Sequence, residues 1–328
     1  MSVDLAHPPP NTTPETAVHI SQLAPKYIKR ATSSLPWPLS VFSRDDPPEV
    51  WAAYETLFLE CLRTGDDRSA RAILDRLLAR FGDKNERVMG YQCMLEEALA
   101  SNDKDLESVL KIANEILGSD EANVPVQKRR VAVLKSLNRI PEAIKRLTEL
   151  LDMSPTDAES WAELSDLYLS QGMSDQAIFC LEELLIVQPN AWNMHAKIGE
   201  ILYASVDSST TNALELARIY SESMRRFLRS IELCENYLRG YYGLHLTAQK
   251  LVKLIPDASK ASTKDDAYND VALPTEGTVQ ALNEMAVDKL GEIVRKGSAK
   301  EQGWDGYDTA ELQAARELLD QGTAKVDR

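Results

Sequence analysis

The amino-acid sequence predicts an all-α fold of stacked helical hairpins, and three observations carry that expectation. From Glu49 onward apolar residues recur at helical spacing, in segments of helix length separated by short polar breaks. No alternating β-branched run or strand–turn–strand signal interrupts them. A set of unlike requirements (large, small, turn-forming and helix-stopping residues) also returns about every 34 residues.

Taken in order, residues 1–48 hold nine of the 15 prolines, among them Pro8-Pro9-Pro10, Pro36-Trp37-Pro38 and Pro47-Pro48. Proline removes a backbone donor and breaks helix, so an irregular Pro-rich N-terminal segment is expected, with short ordered pieces at 23–31 and 37–42. Trp37 is a candidate docked anchor. Residues 49–255 should form the hairpin array, beginning with a pair at 51–63 and 69–81 that is out of strict phase. Near its end the turn at 205–212 is expanded and a long helix follows at 214–233. Residues 256–277, opening at Ile255-Pro256, read as a polar loop or insertion. Residues 278–328 should supply capping helices. One, at 278–295, places Val279, Leu282, Ala286, Leu290 and Ile293 on one face. The other, at 309–321, is opened by Asp308 with Glu311 three residues on and stopped by Gly322.

The repeat is clearest around Trp161, Leu164, Ser165, Tyr168, Gly172, Ala177, Leu181, Leu184 and Pro189. This spacing resembles the tetratricopeptide (TPR) repeat, and it implies a TPR-type right-handed α-solenoid of helical hairpins. One period earlier the same places hold Leu134, Asn138, Ala143, Leu147, Leu150 and Pro155. Trp161 and Tyr168 should fill space between the helices of a hairpin. Ala143 and Ala177 should sit where helices cross closely, since a larger side chain there overpacks at about 1–3 kcal/mol. Gly172 and Asn138 suit a left-handed turn, and Pro155 and Pro189 stop the second helix.

A solenoid of this kind presents a concave face built from its first helices. The inward places should be Lys128, Ala132 and Lys135; Glu159, Ala162, Asp166 and Leu169; Asn193, Ala196, Glu200 and Tyr203; then Tyr242 and Leu246. Small, charged and aromatic residues mixed in this way suit a groove that holds a partner segment. TPR clamps that capture a C-terminal carboxylate resemble one another in placing Lys at the fifth place and Asn at the ninth. Here Lys128 meets the first requirement, but Ala132, Asp166 and Glu200 occupy the ninth places, and acids there oppose a carboxylate. Basic clusters stand at Lys128-Arg129-Arg130 and at Arg218, Arg225, Arg226 and Arg229.

Composition narrows the function further. The chain has 328 residues, 51 acids against 37 bases and a formal charge of −14, a surface that repels phosphate backbones and anionic headgroups. Nucleic-acid binding is therefore not expected. No apolar run approaches the roughly 18–20 residues of a membrane span, and the N-terminus shows no signal-peptide pattern. Cys61, Cys93, Cys180 and Cys234 are scattered, which suggests reduced thiols in an intracellular protein. His7, His19, His195 and His245 are isolated, and no catalytic, cofactor or metal-ligand spacing appears.

Three runs support a narrower resemblance: 86–117, 157–190 and Gly240-Tyr241-Tyr242-Gly243-Leu244-His245 onward to Ala248. With Arg87-Val88-Met89, Gln176-Ala177, Phe179-Cys180-Leu181 and Leu214-Glu215-Leu216-Ala217-Arg218, they are similar to the family of subunit 2 of the ER membrane protein complex. The similarity covers about residues 85–297 and departs from the family at 222–226 and 256–277. The resemblance implies a non-catalytic scaffold, peripheral on the cytoplasmic face of the endoplasmic reticulum. Such a subunit holds cytosolic parts of membrane-embedded subunits in a complex that inserts tail-anchored and multi-spanning proteins. A free TPR adaptor, serving chaperones or another assembly, is the alternative.

Overall fold

The structure is a computed structural model that describes residues 4–7, 13–32, 48–206, 212–261, 273–304 and 306–323. It divides into two compact units, Met1–Pro155 and Thr156–Arg328. Among the described residues every regular element is a helix. The piece expected at 37–42, with Trp37, and the centre of the turn expected at 205–212 lie outside the described residues.

The first unit contains α1 (Pro14–Thr32), α2 (Pro48–Thr64), α3 (Asp67–Phe81), α4 (Glu86–Leu99), α5 (Asp103–Ser119), α6 (Val124–Ser136) and α7 (Ile140–Met153). Here α1 corrects the sequence reading, which made this stretch irregular. Pro14 stands at the first helical position, where its missing N–H costs nothing. Ile20 and Ala24 are fully buried in one cluster with Tyr54, Leu57 and Phe58 of α2. Pro25 lies inside the helix, and tertiary hydrogen bonds anchor the turn that follows it. Tyr54 Oη donates to Tyr27 O, and Arg76 of α3 donates both to Ile28 O and to Tyr54 Oη. Proline counting misses these tertiary bonds.

Side-chain caps set the later starts. Asp66, Asn85, Asn102 and Asn123 each accept from backbone N–H groups in the first turn that follows, at 3.0–3.2 Å. Between α6 and α7 the chain turns at Asn138 with φ 57°, a left-handed conformation that asparagine takes more cheaply than most residues. Ala143 is fully buried where α7 crosses α6.

The second unit contains α8 (Ala158–Ser170), α9 (Ser174–Val187), α10 (Trp192–Ala204), α11 (Ala213–Leu233), α12 (Leu238–Ala261), α13 (Glu276–Ser298) and α14 (Thr309–Thr323). Gly172 turns α8 into α9 with φ 73°. Leu164 and Ala177 are buried, Tyr168 packs on the cluster of Ala177, Leu181 and Ile198, and Trp161 meets Phe179 edge-on at 6.3 Å. Ser165 Oγ donates to Ala177 O at 2.9 Å across this hairpin, and Ser223 Oγ donates to Gly199 O at 2.7 Å across α10 and α11. The helices therefore approach closely enough for side-chain-to-backbone bonds. Phe227 of α11 fills the space left by Gly199 and Gly243, where an added Cβ would stand 3.0 and 2.2 Å from its ring.

Two further boundaries differ from expectation. The polar loop expected from Pro256 begins later, because α12 continues through Pro256 to Ala261. Leu251, Ile255 and Ala258 are buried against the core cluster, and this burial holds the last turns in place despite the proline. Helix α14 runs past Gly322 to Thr323, since glycine permits a stop without imposing one. Between α13 and α14, Trp304 lies under the ammonium groups of Lys296 and Lys289, 4.6 and 5.5 Å from the ring centroid. Hydrogen bonds from Lys296 and Lys289 pull the Glu292 carboxyl down to about 2.

His245 of α12 is 4% exposed and lies between two amides. Its Nδ1 meets Asn283 Oδ1 at 2.7 Å and its Nε2 meets Gln249 Nε2 at 2.8 Å, the pattern of a neutral ring donating to Asn283 and accepting from Gln249. Burial lowers its pKa from the ordinary 6.5, against the opposing effect of the Asn283 bond.

Two predictions follow from this packing. Gly243→Ala should cost about 1–3 kcal/mol of unfolding free energy, with Gly199→Ala milder. Gly291→Ala, in open space on α13, should be neutral or stabilising by up to about 1 kcal/mol. Equal urea midpoints for Gly243→Ala and wild type would contradict the close approach. The second concerns pH. With its folded pKa below the unfolded one, His245 contributes stability that is present above about pH 6.5 and lost as pH falls through the folded value. His245→Gln should flatten that part of the urea-midpoint profile between about pH 7.5 and 5.5; superimposable profiles would refute it.

Candidate partner-binding site

The expected groove residues fall on both units. In the first, Lys128 is half-buried and Lys135 exposed, both on α6. Arg129 pairs with Glu97 of α4 at 4.0 Å, and Ser136 donates to the same carboxylate at 3.0 Å. Arg130 occupies the repeat place that Leu164 holds in the following hairpin, a substitution overlooked at the sequence level. Its Nε is buried without a hydrogen bond among the described residues, and burial and Arg146 lower its pKa.

In the second unit, Glu159, Asp166, Leu169 and Asn193 are exposed on α8 and α10. Asp166 is not an open charge, because Lys197 of α10 donates to its Oδ1. Ala196, expected to face a partner, is instead 1% exposed in the main core cluster with Leu214 and Ala217 of α11. Its methyl is consumed by packing.

The remaining expected residues converge. Glu200 and Tyr203 of α10 and Tyr242 and Leu246 of α12 line one open cavity of about 310 Å³. Phe227 of α11, Leu238, Arg239 and Gly243 of α12, and Glu311 and Ala314 of α14 complete the lining. Most of the lining is apolar. Tyr203 stacks at a tilt on Tyr220 with centroids 5.5 Å apart, which fixes one wall.

The part played by α14 was not legible in the sequence, which made this helix a cap only. Arg239 of α12 donates through Nε and Nη2 to Glu311 Oε1 at 2.8 and 2.7 Å, a pair 72 positions apart. Tyr307 Oη donates to Asn236 O at 2.7 Å, a second tether at the start of α14. The Arg239 charge is thus committed, and the Glu311 bond raises its pKa. Glu200 at the rim accepts no hydrogen bond among the described residues. Lost hydration raises its carboxyl pKa; Arg239 and Lys197 act to lower it and Glu311 raises it further.

Burial pushes the Cys61 thiol up to about 12 and the Cys180 thiol up to about 11, so both stay protonated at neutral pH. His195 meets Pro189 O at 3.3 Å, and burial lowers its pKa.

Comparison with known proteins agrees with this architecture. The family model of the EMC2 TPR-like repeat domain matches residues 90–213. The TPR repeat protein oca3 of Schizosaccharomyces pombe is 33% identical over 250 residues, covering 76% of this chain and 84% of that protein. ER membrane protein complex subunit 2-B of Xenopus laevis is 30% identical over 218 residues, covering 66% of this chain and 68% of that one. ER membrane protein complex subunit 2 of Saccharomyces cerevisiae is 24% identical over 203 residues, with coverage of 60% and 68%. With its repeats placed in phase and this extent of shared sequence, the chain belongs to the ER membrane protein complex subunit 2 family.

Proposed function

We propose that this chain is a non-catalytic scaffold subunit of the ER membrane protein complex, peripheral on the cytoplasmic face of the endoplasmic reticulum. It holds cytosolic segments of membrane-embedded subunits so that the complex can insert tail-anchored and multi-spanning membrane proteins. The observation that carries this reading is the convergence of Glu200, Tyr203 and Tyr242 on one open cavity in a repeat fold. Relatives of this fold are named as subunits of that complex.

The mechanism is multivalent grip. A large apolar side chain moved from water into such a cavity contributes about 1.5–3 kcal/mol. The expected groove residues Lys128, Lys135, Glu159, Asp166, Leu169 and Asn193 offer further shallow contacts along the first helices. Several weak contacts on one chain add through effective concentration and need no single tight pocket. No helix among the described residues is long and apolar enough to cross a membrane, so in this reading attachment comes through partners.

The test is fractionation of native membranes. The chain should sediment with endoplasmic reticulum membranes and leave them in detergent as part of a large assembly. Recovery as a free monomer in the cytosolic fraction would overturn the scaffold reading in favour of an adaptor.

A further inference from the structure

We propose that the cavity between α10, α12 and α14 seats one large apolar side chain of a partner segment whose neighbouring residue is a lysine or arginine, with Glu200 receiving the cation. This inference deepens the scaffold reading and rests on it.

Asp166 and Glu200 stand at the same place, 34 positions apart, in successive first helices. Asp166 is neutralised by Lys197, three positions before Glu200 on α10. Aligning Tyr241, Leu244 and Ala248 with Trp161, Leu164 and Tyr168 puts Gly243 on α12 at the place Lys197 holds on α10. Glycine has no side chain to return to Glu200. No other residue fits there, because a Cβ would stand 2.2 Å from the Phe227 ring. The nearby cations Arg239 and Lys197 attract Glu200 through space, but their bonds go to Glu311 and Asp166. Packing of Phe227 therefore leaves an acid beside an apolar cavity without the partner that its counterpart has.

The occupant follows by complementarity. At about 310 Å³ the cavity stands at the small end of the roughly 300–1,000 Å³ in which proteins seat ligands, and tyrosine, phenylalanine and leucine side chains line it. Such a site suits a single aromatic or branched side chain rather than the face of a helix. Within the lining Arg239 and Glu311 balance each other and Glu200 is the charge left over, so an anionic neighbour is disfavoured and a cationic neighbour restores the pairing seen at Asp166.

Titration of the purified full chain with blocked hexapeptides, followed by chemical-shift perturbation, tests this. One peptide carries phenylalanine then arginine among glycines and serines; the others replace the arginine with glutamine or glutamate, or the phenylalanine with alanine. The phenylalanine–arginine peptide should bind about two- to fivefold more tightly than its glutamine counterpart, and loss of the phenylalanine should abolish binding. Glu200→Lys should reverse the preference toward the glutamate peptide. Ala314→Phe, at an exposed α14 position on the cavity wall, should block binding with an unchanged melting profile. Binding by none of the peptides, equal binding by all, or indifference to Ala314→Phe overturns the proposal. So does concentration-dependent dimerisation abolished by Ala314→Phe, which would make a second copy the occupant. Each of these failures leaves membrane cosedimentation of the wild type intact, whereas loss of cosedimentation sinks the scaffold reading itself.

Discussion

Close approach of helices at small residues is the constraint on which the second unit depends. A helical hairpin cannot bury its apolar stripe alone, so each helix must contact two or three others. Backbones come near enough only where side chains are small. Ser165 against Ala177 and Gly199 against Ser223 are two cases, each recorded by a hydroxyl-to-carbonyl hydrogen bond across the crossing. Gly243 is the third and tightest, with Phe227 taking the volume that its side chain would need. Three helices thereby share one aromatic ring. Tyr203 and Tyr242, packed against the core on one side, line the cavity together with Leu246.

Charge in the second unit is arranged by the same geometry. Arg226 joins Glu222 on its own helix to Glu182 of α9, Lys289 and Lys296 clamp Glu292, and Arg239 holds Glu311. Pairs at this degree of exposure contribute little to stability. Their effect here is positional: Arg239 and the Tyr307 bond fix α14 beside α12 and so give the cavity its third side. A helix whose sequence shows only a capping role thereby comes to line the cavity, held by one guanidinium–carboxylate contact and one tyrosine hydrogen bond.

How much of this was legible in the sequence depends on the range of each interaction. The repeat was legible because turn, crossing and spacer demands are local and recur in phase. Asn138 and Gly172 show left-handed φ where the pattern places them. Glu200, Tyr203 and Tyr242 could be picked from that phase, since a first-helix place fixes which way a side chain faces. Ala196 could not be separated from them, because its neighbours Leu214 and Ala217 follow an expanded turn that breaks the period. Nor could α1 or the end of α12 be read. Pro25 and Pro256 count against helix locally, and only the distant partners Tyr54 and Arg76, or burial of Leu251, Ile255 and Ala258, reverse that. Arg239 and Glu311 are invisible to any periodicity because 72 positions separate them.

The departures from the repeat are where the two units gain distinct chemistry. Arg130 replaces a leucine-type place in α6, so the first unit carries a partly buried guanidinium beside Arg146. Gly243 stands in α12 at the place where α10 has Lys197, so Glu200 lacks the counterpart of the lysine that pairs with Asp166. A repeat that met every consensus demand would be well packed and electrostatically balanced along its length, with nothing to distinguish one partner segment from another. In the proposed reading, recognition therefore concentrates where the pattern fails. At Gly243 the failure is forced by packing, because the glycine that admits Phe227 also removes the side chain that would have reached Glu200.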